Sequence, residues 1–310
     1  MKKWLALGAL TSWVLIPSPL PAQGQWTREP PAPTQRTEVA VAALEDEIYV
    51  IGGFHRGGTT DLVESYNPRT RTWRKRASLP RPLHHAGAGV IGNRLYVVGG
   101  FGGSFFWGAV NTLYEYDPKA NRWTERAPMP TARGALGVGV IGGRLYAVGG
   151  RGKGGDLQAN EVYDPASDAW KRLAPMPTKR DHLAVGVAEG KLYAIGGRLG
   201  SYTRNVGENE AYDPKTDQWK ERRPLPTPRS GIAAAVLSGR IHVFGGESGE
   251  GTFADNEAYD PARNTWERHA PMPTARHGLG AATWGGKVYV LSGGPRPGGS
   301  YSGANEAFGP

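Results

Sequence analysis

Short apolar runs alternate with turns marked by glycine and proline along almost the whole chain, and no segment carries the 3.6-residue period of an amphipathic helix. Runs such as Arg144-Leu145-Tyr146-Ala147-Val148 end on a Gly-Gly doublet, and the doublets recur at 52–53, 99–100, 149–150, 196–197, 245–246 and 293–294. A tryptophan keeps step at 26, 73, 123, 170, 219 and 266. Between doublet and tryptophan lies a third anchor: Tyr66-Asn67-Pro68, Tyr116-Asp117-Pro118, Tyr163-Asp164-Pro165, Tyr212-Asp213-Pro214 and Tyr259-Asp260-Pro261, with a degraded sixth copy at Phe308-Gly309-Pro310. Six copies of about 48 residues without helical periodicity predict an all-β radial array, a six-bladed β-propeller of four-stranded blades.

Each unit reads as four strands. Strand a is small and apolar (Ala135–Val140), and a two-residue turn that accepts positive φ, such as Gly142-Gly143, leads to strand b. A loop of variable length follows, then strand c (Asn160–Tyr163), the Asp-Pro turn and strand d around the tryptophan. Gln25-Trp26-Thr27-Arg28 is a strand d with no strands before it, whereas residues 278–308 supply a, b and c with no d after them. The N-terminal strand is therefore expected to complete the last blade and close the ring. Two local departures read as structural variation: His242 stands where other blades have tyrosine, and Ser292 lengthens the last strand b by one residue.

The spaced Gly-Gly, Tyr and Trp positions resemble the Kelch repeat, over residues 25–310 and in all six copies. The resemblance implies a six-bladed propeller of a bacterial exported type.

Residues 1–24 read as a secretory signal: Lys2 and Lys3, an apolar stretch from Trp4 to Ile16, then small residues and prolines. The stretch is short for a bilayer span. The expectations are an exported protein, periplasmic or secreted, with 25–310 as the propeller, no stable membrane insertion and a monomeric state.

Glycine and proline are abundant (46 and 25), but their fixed spacing argues against disorder. The absence of cysteine excludes disulfides, thiolate metal sites and a cysteine nucleophile. The formal charge is +9, spread over the repeats without a basic stripe, so nucleic acid is not an expected partner.

Alternating strand direction puts the d–a passages and b–c loops on one face, where the blades differ, and loops that vary on a rigid frame are where binding residues collect. The passages carry Arg36, Arg133, Arg180, Arg229 and Arg276; the second blade has Leu83 instead. Two readings stay open. The arginines ring the channel mouth and offer forked donors to an anion, or each binds loop carbonyls to fix its passage. The b–c loops add Phe106, Trp107, Tyr202 and Arg204. Some Kelch domains bind acidic peptides through passage arginines, and Pro228-Arg229-Ser230-Gly231 is similar to the passage they use, so the resemblance adds Ser230. The expected function is a binding module for an anionic protein segment or acidic glycan, without cofactor or metal.

The alternative is catalysis. A copper galactose oxidase is excluded by the missing cysteine. The bacterial N-acetylneuraminate epimerases are Kelch-type and six-bladed, and acidic-sugar mutarotation would need proton-transfer groups. Candidates are Glu38, Asp181, Glu208, His84, His182 and His277. The strand-c glutamates (Glu64, Glu115, Glu161, Glu210, Glu257, Glu306) recur in every blade and read as structural. His84, Asp181 and His277 hold equivalent places in three blades, an arrangement that could suit a divalent ion only if all three side chains pointed inward.

Overall fold

The computed structural model describes residues 24–103 and 108–310. Six four-stranded antiparallel sheets form the blades of a propeller. Blade 1 comprises strand a (Ala40–Leu44), strand b (Glu47–Ile51), strand c (Val63–Asn67) and strand d (Thr72–Lys75). Blade 6 takes strands a–c from Gly280–Trp284, Lys287–Leu291 and Asn305–Gly309, and its outer strand is Gln25–Arg28, which pairs Gln25 with Gly309 and Arg28 with Glu306. The ring is closed as the unpaired ends of the repeat require. The expected signal lies almost wholly outside the described residues, and no helix among those described is long and apolar enough to cross a membrane.

The strands lining the axis are small because neighbouring blades converge there. A Cβ on Gly137 would stand 2.2 Å from Cγ2 of Val185, the corresponding side chain of the next blade, so only hydrogen fits. Farther out the wedge between blades opens, and strands c and d fill it with tyrosine–tryptophan pairs such as Tyr116–Trp123, ring centroids 4.8 Å apart. The tryptophans also clasp the blades. Trp123 Nε1 donates to Ala77 O of the preceding blade at 2.8 Å, and the same bond recurs from Trp170 to Ala127, Trp219 to Ala174, Trp266 to Arg223, Trp73 to Pro30 and Trp26 to Ala270. At four junctions an Asn or Asp of the turn before strand d, such as Asp168, accepts the N–H of that same residue, here Ala127, and the Tyr163 hydroxyl at 2.6 Å. Each junction is thus held by satisfied polar bonds as well as by apolar area.

Ser292 does not lengthen strand b. That strand keeps five residues, and Ser292, with φ 58°, takes the place of the first glycine of the doublet while Gly293 takes the second. The last repeat is in register, with one left-handed position filled by serine. His242 lies buried in the wedge, 3.0 Å from Asn256 Oδ1 through Nδ1 and beside Phe244, His269 and Phe308.

Candidate functional site

The five passage arginines are not at the channel mouth. Arg36, Arg133, Arg180, Arg229 and Arg276 are each 0% exposed, inside the blade, and each pairs with the strand-c glutamate of its own repeat. Arg229 Nη1 donates to Glu257 Oε2 at 2.5 Å and to Thr227 O at 2.9 Å; Nη2 donates to Val243 O at 3.0 Å and Nε to Gly245 O at 2.7 Å. The guanidinium ties the passage to the end of strand b, and the structural reading of both repeated columns holds. The expectation of a cationic ring facing ligand is corrected, because the donors are spent on internal acceptors. Ser230 is buried as well. In the second blade Leu83 fills the space, and Glu115 instead accepts from Arg126 Nε at 2.8 Å and Tyr96 Oη at 3.0 Å.

What reaches the axis is the residue two places after each arginine. Glu38, His85, Ala135, His182, Gly231 and Gly278 all have left-handed backbones, with φ between 53° and 64°. Their N–H groups form a closed circuit: Glu38 donates to Gly278 O, His85 to Glu38, Ala135 to His85, His182 to Ala135, Gly231 to His182 and Gly278 to Gly231, over 2.7–3.1 Å. This collar constricts the channel. On one side it caps a small cavity of about 90 Å³; on the other it floors a mouth cavity of about 490 Å³.

Three side chains of the collar are ionisable. Glu38 Oε2 lies 3.1 Å from His85 Nε2, and Glu38 Oε1 lies 3.3 Å from His277 Nδ1. The His85 and His182 rings meet edge to face, centroids 4.8 Å apart. His182 Nδ1 contacts Asp181 Oδ1 at 2.5 Å, and its Nε2 faces Arg198 Nη2 at 2.9 Å. Arg198 also binds Asp181 through Nε at 2.9 Å and Glu247 through Nη1 at 3.0 Å, and Glu247 Oε2 returns to His277 Nδ1 at 3.5 Å. Carboxylates and imidazoles thus alternate around the floor, with Arg198 as its guanidinium. Single bridges between each passage and the residue following each doublet, such as Asp181 with Arg198 and Ser230 with Glu247, bring the second group beside the first.

Burial disfavours the Glu38 carboxylate, but the surrounding imidazoles of His85, His277 and His182 outweigh it and hold the group well below the usual carboxyl range. Burial pulls His85 well below its ordinary value. For His277 burial acts downward too, yet the bond to Glu38 and the charges of Glu38 and Glu247 raise it. Asp156, on the b–c hairpin of blade 3, is pushed up to about 6 by burial and by its neighbour Asp181.

The mouth cavity is walled by Phe54, His55, Arg56, Tyr202 and Tyr301 of the b–c loops. Tyr202 is 40% exposed, and Arg56, Arg204 and Arg296 are exposed. Tyr202 is therefore at the cavity as expected, and Arg204 lies on the same loop. Phe106 and Trp107 fall outside the described residues. Of the proton-transfer candidates, Glu38, His182 and His277 line the cavity and Glu208 does not. His84, Asp181 and His277 do not converge: His84 stacks on Phe54 at 3.9 Å, and it is the neighbours His85 and His182 that face the axis. Sequence reasoning passed over Glu247, although it stands in the column after the doublet that Phe54, Phe101, Arg151 and Arg198 also occupy.

The KLHDC2/KLHL20/DRC7 Kelch-repeats domain matches residues 78–225 and 140–305, and the Kelch motif matches residues 35–80. Human Kelch-like protein 33 is 36% identical over 84 residues, which is 27% of this chain and 16% of that protein. Kelch-like protein terF of Aspergillus terreus is 36% identical over 89 residues, 26% of this chain and 19% of that protein. The chain spans less than a fifth of these two relatives. The solved structure of YjhT superposes with a TM-score of 0.76 at 17% identity, covering 90% of this chain and 96% of that one, a likeness of fold.

Proposed function

The chain belongs to the Kelch-repeat family, and from that premise we propose that it is an exported, monomeric binding module that takes an anionic protein segment or acidic glycan at the mouth cavity. Kelch propellers are typically protein-interaction modules. The observation that carries the reading is the mouth cavity itself, about 490 Å³, walled by Phe54, Tyr202 and Tyr301. The exposed cations around it are Arg56, Arg204 and Arg296 of the loop tips; the buried passage arginines take no part. Charge-assisted bonds from these tips contribute about 1.5–3 kcal/mol each once desolvated, and less where water screens them.

Fluorescence anisotropy with a labelled glutamate-rich peptide and a sialylated oligosaccharide tests this. Binding of either is expected to weaken with salt and to fall about tenfold or more (~1.4 kcal/mol per decade) when Arg56 and Arg204 are both reversed to Glu. Affinity indifferent to that reversal would remove the charge argument.

One observation favours a second reading, proton transfer on an acidic sugar. Glu38 and His277, 3.3 Å apart, stand at the cavity floor, one carboxylate and one imidazole. Proton NMR of α-N-acetylneuraminate would show faster anomer interconversion with the protein, and the acceleration would disappear in Glu38→Gln.

A further inference from the structure

The collar carries a feature that ligand recognition at the mouth does not explain. A left-handed backbone costs an L-residue about 1–2 kcal/mol. Blades 5 and 6 avoid that cost with Gly231 and Gly278, yet blades 1, 2 and 4 place Glu38, His85 and His182 in the same conformation. Strain held at three equivalent positions, all bearing metal-ligating side chains aimed at one axis, points to a function for those side chains.

Their donor atoms lie within 4.8 Å of one another. The Glu38 Oε2 to His85 Nε2 separation of 3.1 Å is already close to the ~3.4 Å edge of a tetrahedron whose ligands stand ~2.1 Å from its centre. Small imidazole rotations bring the third atom to the same centre. We propose that Glu38, His85 and His182 bind one divalent transition-metal ion on the propeller axis, at the floor of the mouth cavity.

A second layer of contacts supports each ligand. Asp181 Oδ1 meets His182 Nδ1 at 2.5 Å, which directs the His182 Nε2 lone pair inward. His84 Nε2 donates to Gly103 O at 3.0 Å, so its Nδ1 accepts from His85 Nδ1 at 2.5 Å, and the His85 lone pair is likewise on Nε2, towards Glu38. His277 Nδ1 lies 3.3 Å from the other Glu38 oxygen. Outer partners that fix ring tautomer and carboxylate orientation are what a metal site needs. Two imidazoles and a carboxylate suit zinc, cobalt, iron or manganese rather than calcium or magnesium. Arg198 Nη2, 2.9 Å from His182 Nε2, yields that one position on metal entry, while its Nε and Nη1 stay on Asp181 and Glu247. With Asp181 and Glu247 beside it, the floor balances the added charge.

The site is separable from the binding reading, because metal occupancy is measured without any peptide or glycan. The full chain, stripped with chelator and dialysed, is titrated with Co²⁺ by visible absorption and with Zn²⁺ by calorimetry, with thermal melts alongside. The expected result is one equivalent bound, visible Co²⁺ bands and a raised melting temperature. H85G, H182G and E38Q should each abolish saturable binding, and D181N should weaken it about 10–100-fold. Without metal, H85G and H182G should melt no lower than the parent, since glycine accepts the backbone they hold. H269N, far from the collar, should bind as the parent does. No saturable binding at millimolar metal, or binding that survives H85G and H182G, overturns the site.

Discussion

The N–H of Glu38 donates to the carbonyl of Gly278 at 2.7 Å, and this bond completes the circuit of six around the axis. Each partner holds a left-handed backbone, but only Gly278 does so without strain, and its missing side chain also leaves room for the Glu38 carboxylate. A Cβ at 278 would lie 2.4 Å from Thr37 Oγ1 and 2.6 Å from Glu38 Oε1.

Collar substitutions should therefore have opposite signs. Ala135→Gly is expected to stabilise by up to about 1 kcal/mol, the relief of left-handed strain less the added freedom of the unfolded chain. Gly278→Ala should destabilise by about 2 kcal/mol through strain and collision together. Urea unfolding of the two variants beside the parent measures both; equal effects would mean that the collar does not constrain the backbone.

The Arg229–Glu257 pair should behave as a structural ion pair. Arg229→Ala leaves Glu257 buried without its partner, at about 3–5 kcal/mol. Replacing both, with Arg229→Met and Glu257→Leu, should recover most of that loss. Thermal melts of the single and double variants decide, and a double variant as unstable as the single would show that the carbonyl contacts of Arg229, not the charge pair, hold the passage.

Closure through the first strand should govern the whole ring. Deleting residues 25–29 removes the outer strand of blade 6 and the Trp26 bond to Ala270, so a single transition at markedly lower temperature is expected. Trp26→Ala alone should cost about 3 kcal/mol, since its ring packs on Phe244 and Phe308. An unchanged midpoint in calorimetry would contradict closure.

His242 should make stability fall in acid. Burial in the wedge pushes its pKa down to about 4 from the usual 6.5. Between those values the unfolded chain binds the extra proton, so stability is full above pH 6.5 and declines as pH falls towards 4, by up to about 3 kcal/mol. His242→Tyr, which installs the residue of the other blades, should flatten that part of the curve. Denaturant midpoints of both proteins across pH 4–7 provide the comparison.

The propeller could be read from the chain because its repeating side chains answer local demands: glycine where blades meet, tryptophan where they part, and a strand d at Gln25–Arg28 with nothing before it. The candidate site was less legible. The arginine and glutamate columns were both visible, but their opposite charges and regular spacing were the signal of partnership, and a repeated charge reads as surface only until its partner is paired with it. The collar residues were hidden differently. Glu38, His85 and His182 depart from a position that wants glycine, and a left-handed requirement is written in backbone angles that no residue type declares. Ser292 disguised the same requirement by taking it up in place of a glycine.

The pairing of Gln25 with Gly309 also settles how the ring responds to force. A pull applied at these two residues loads adjacent ends of antiparallel neighbours, so the ladder opens one rung at a time from Gln25 towards Arg28 instead of shearing all at once. The next contact to carry load is Trp26, whose indole bonds Ala270 and packs against Phe244 of blade 5. The propeller is strong against heat, where its junctions share the strain, and weak along one line, where the rungs of a single short strand give way in turn.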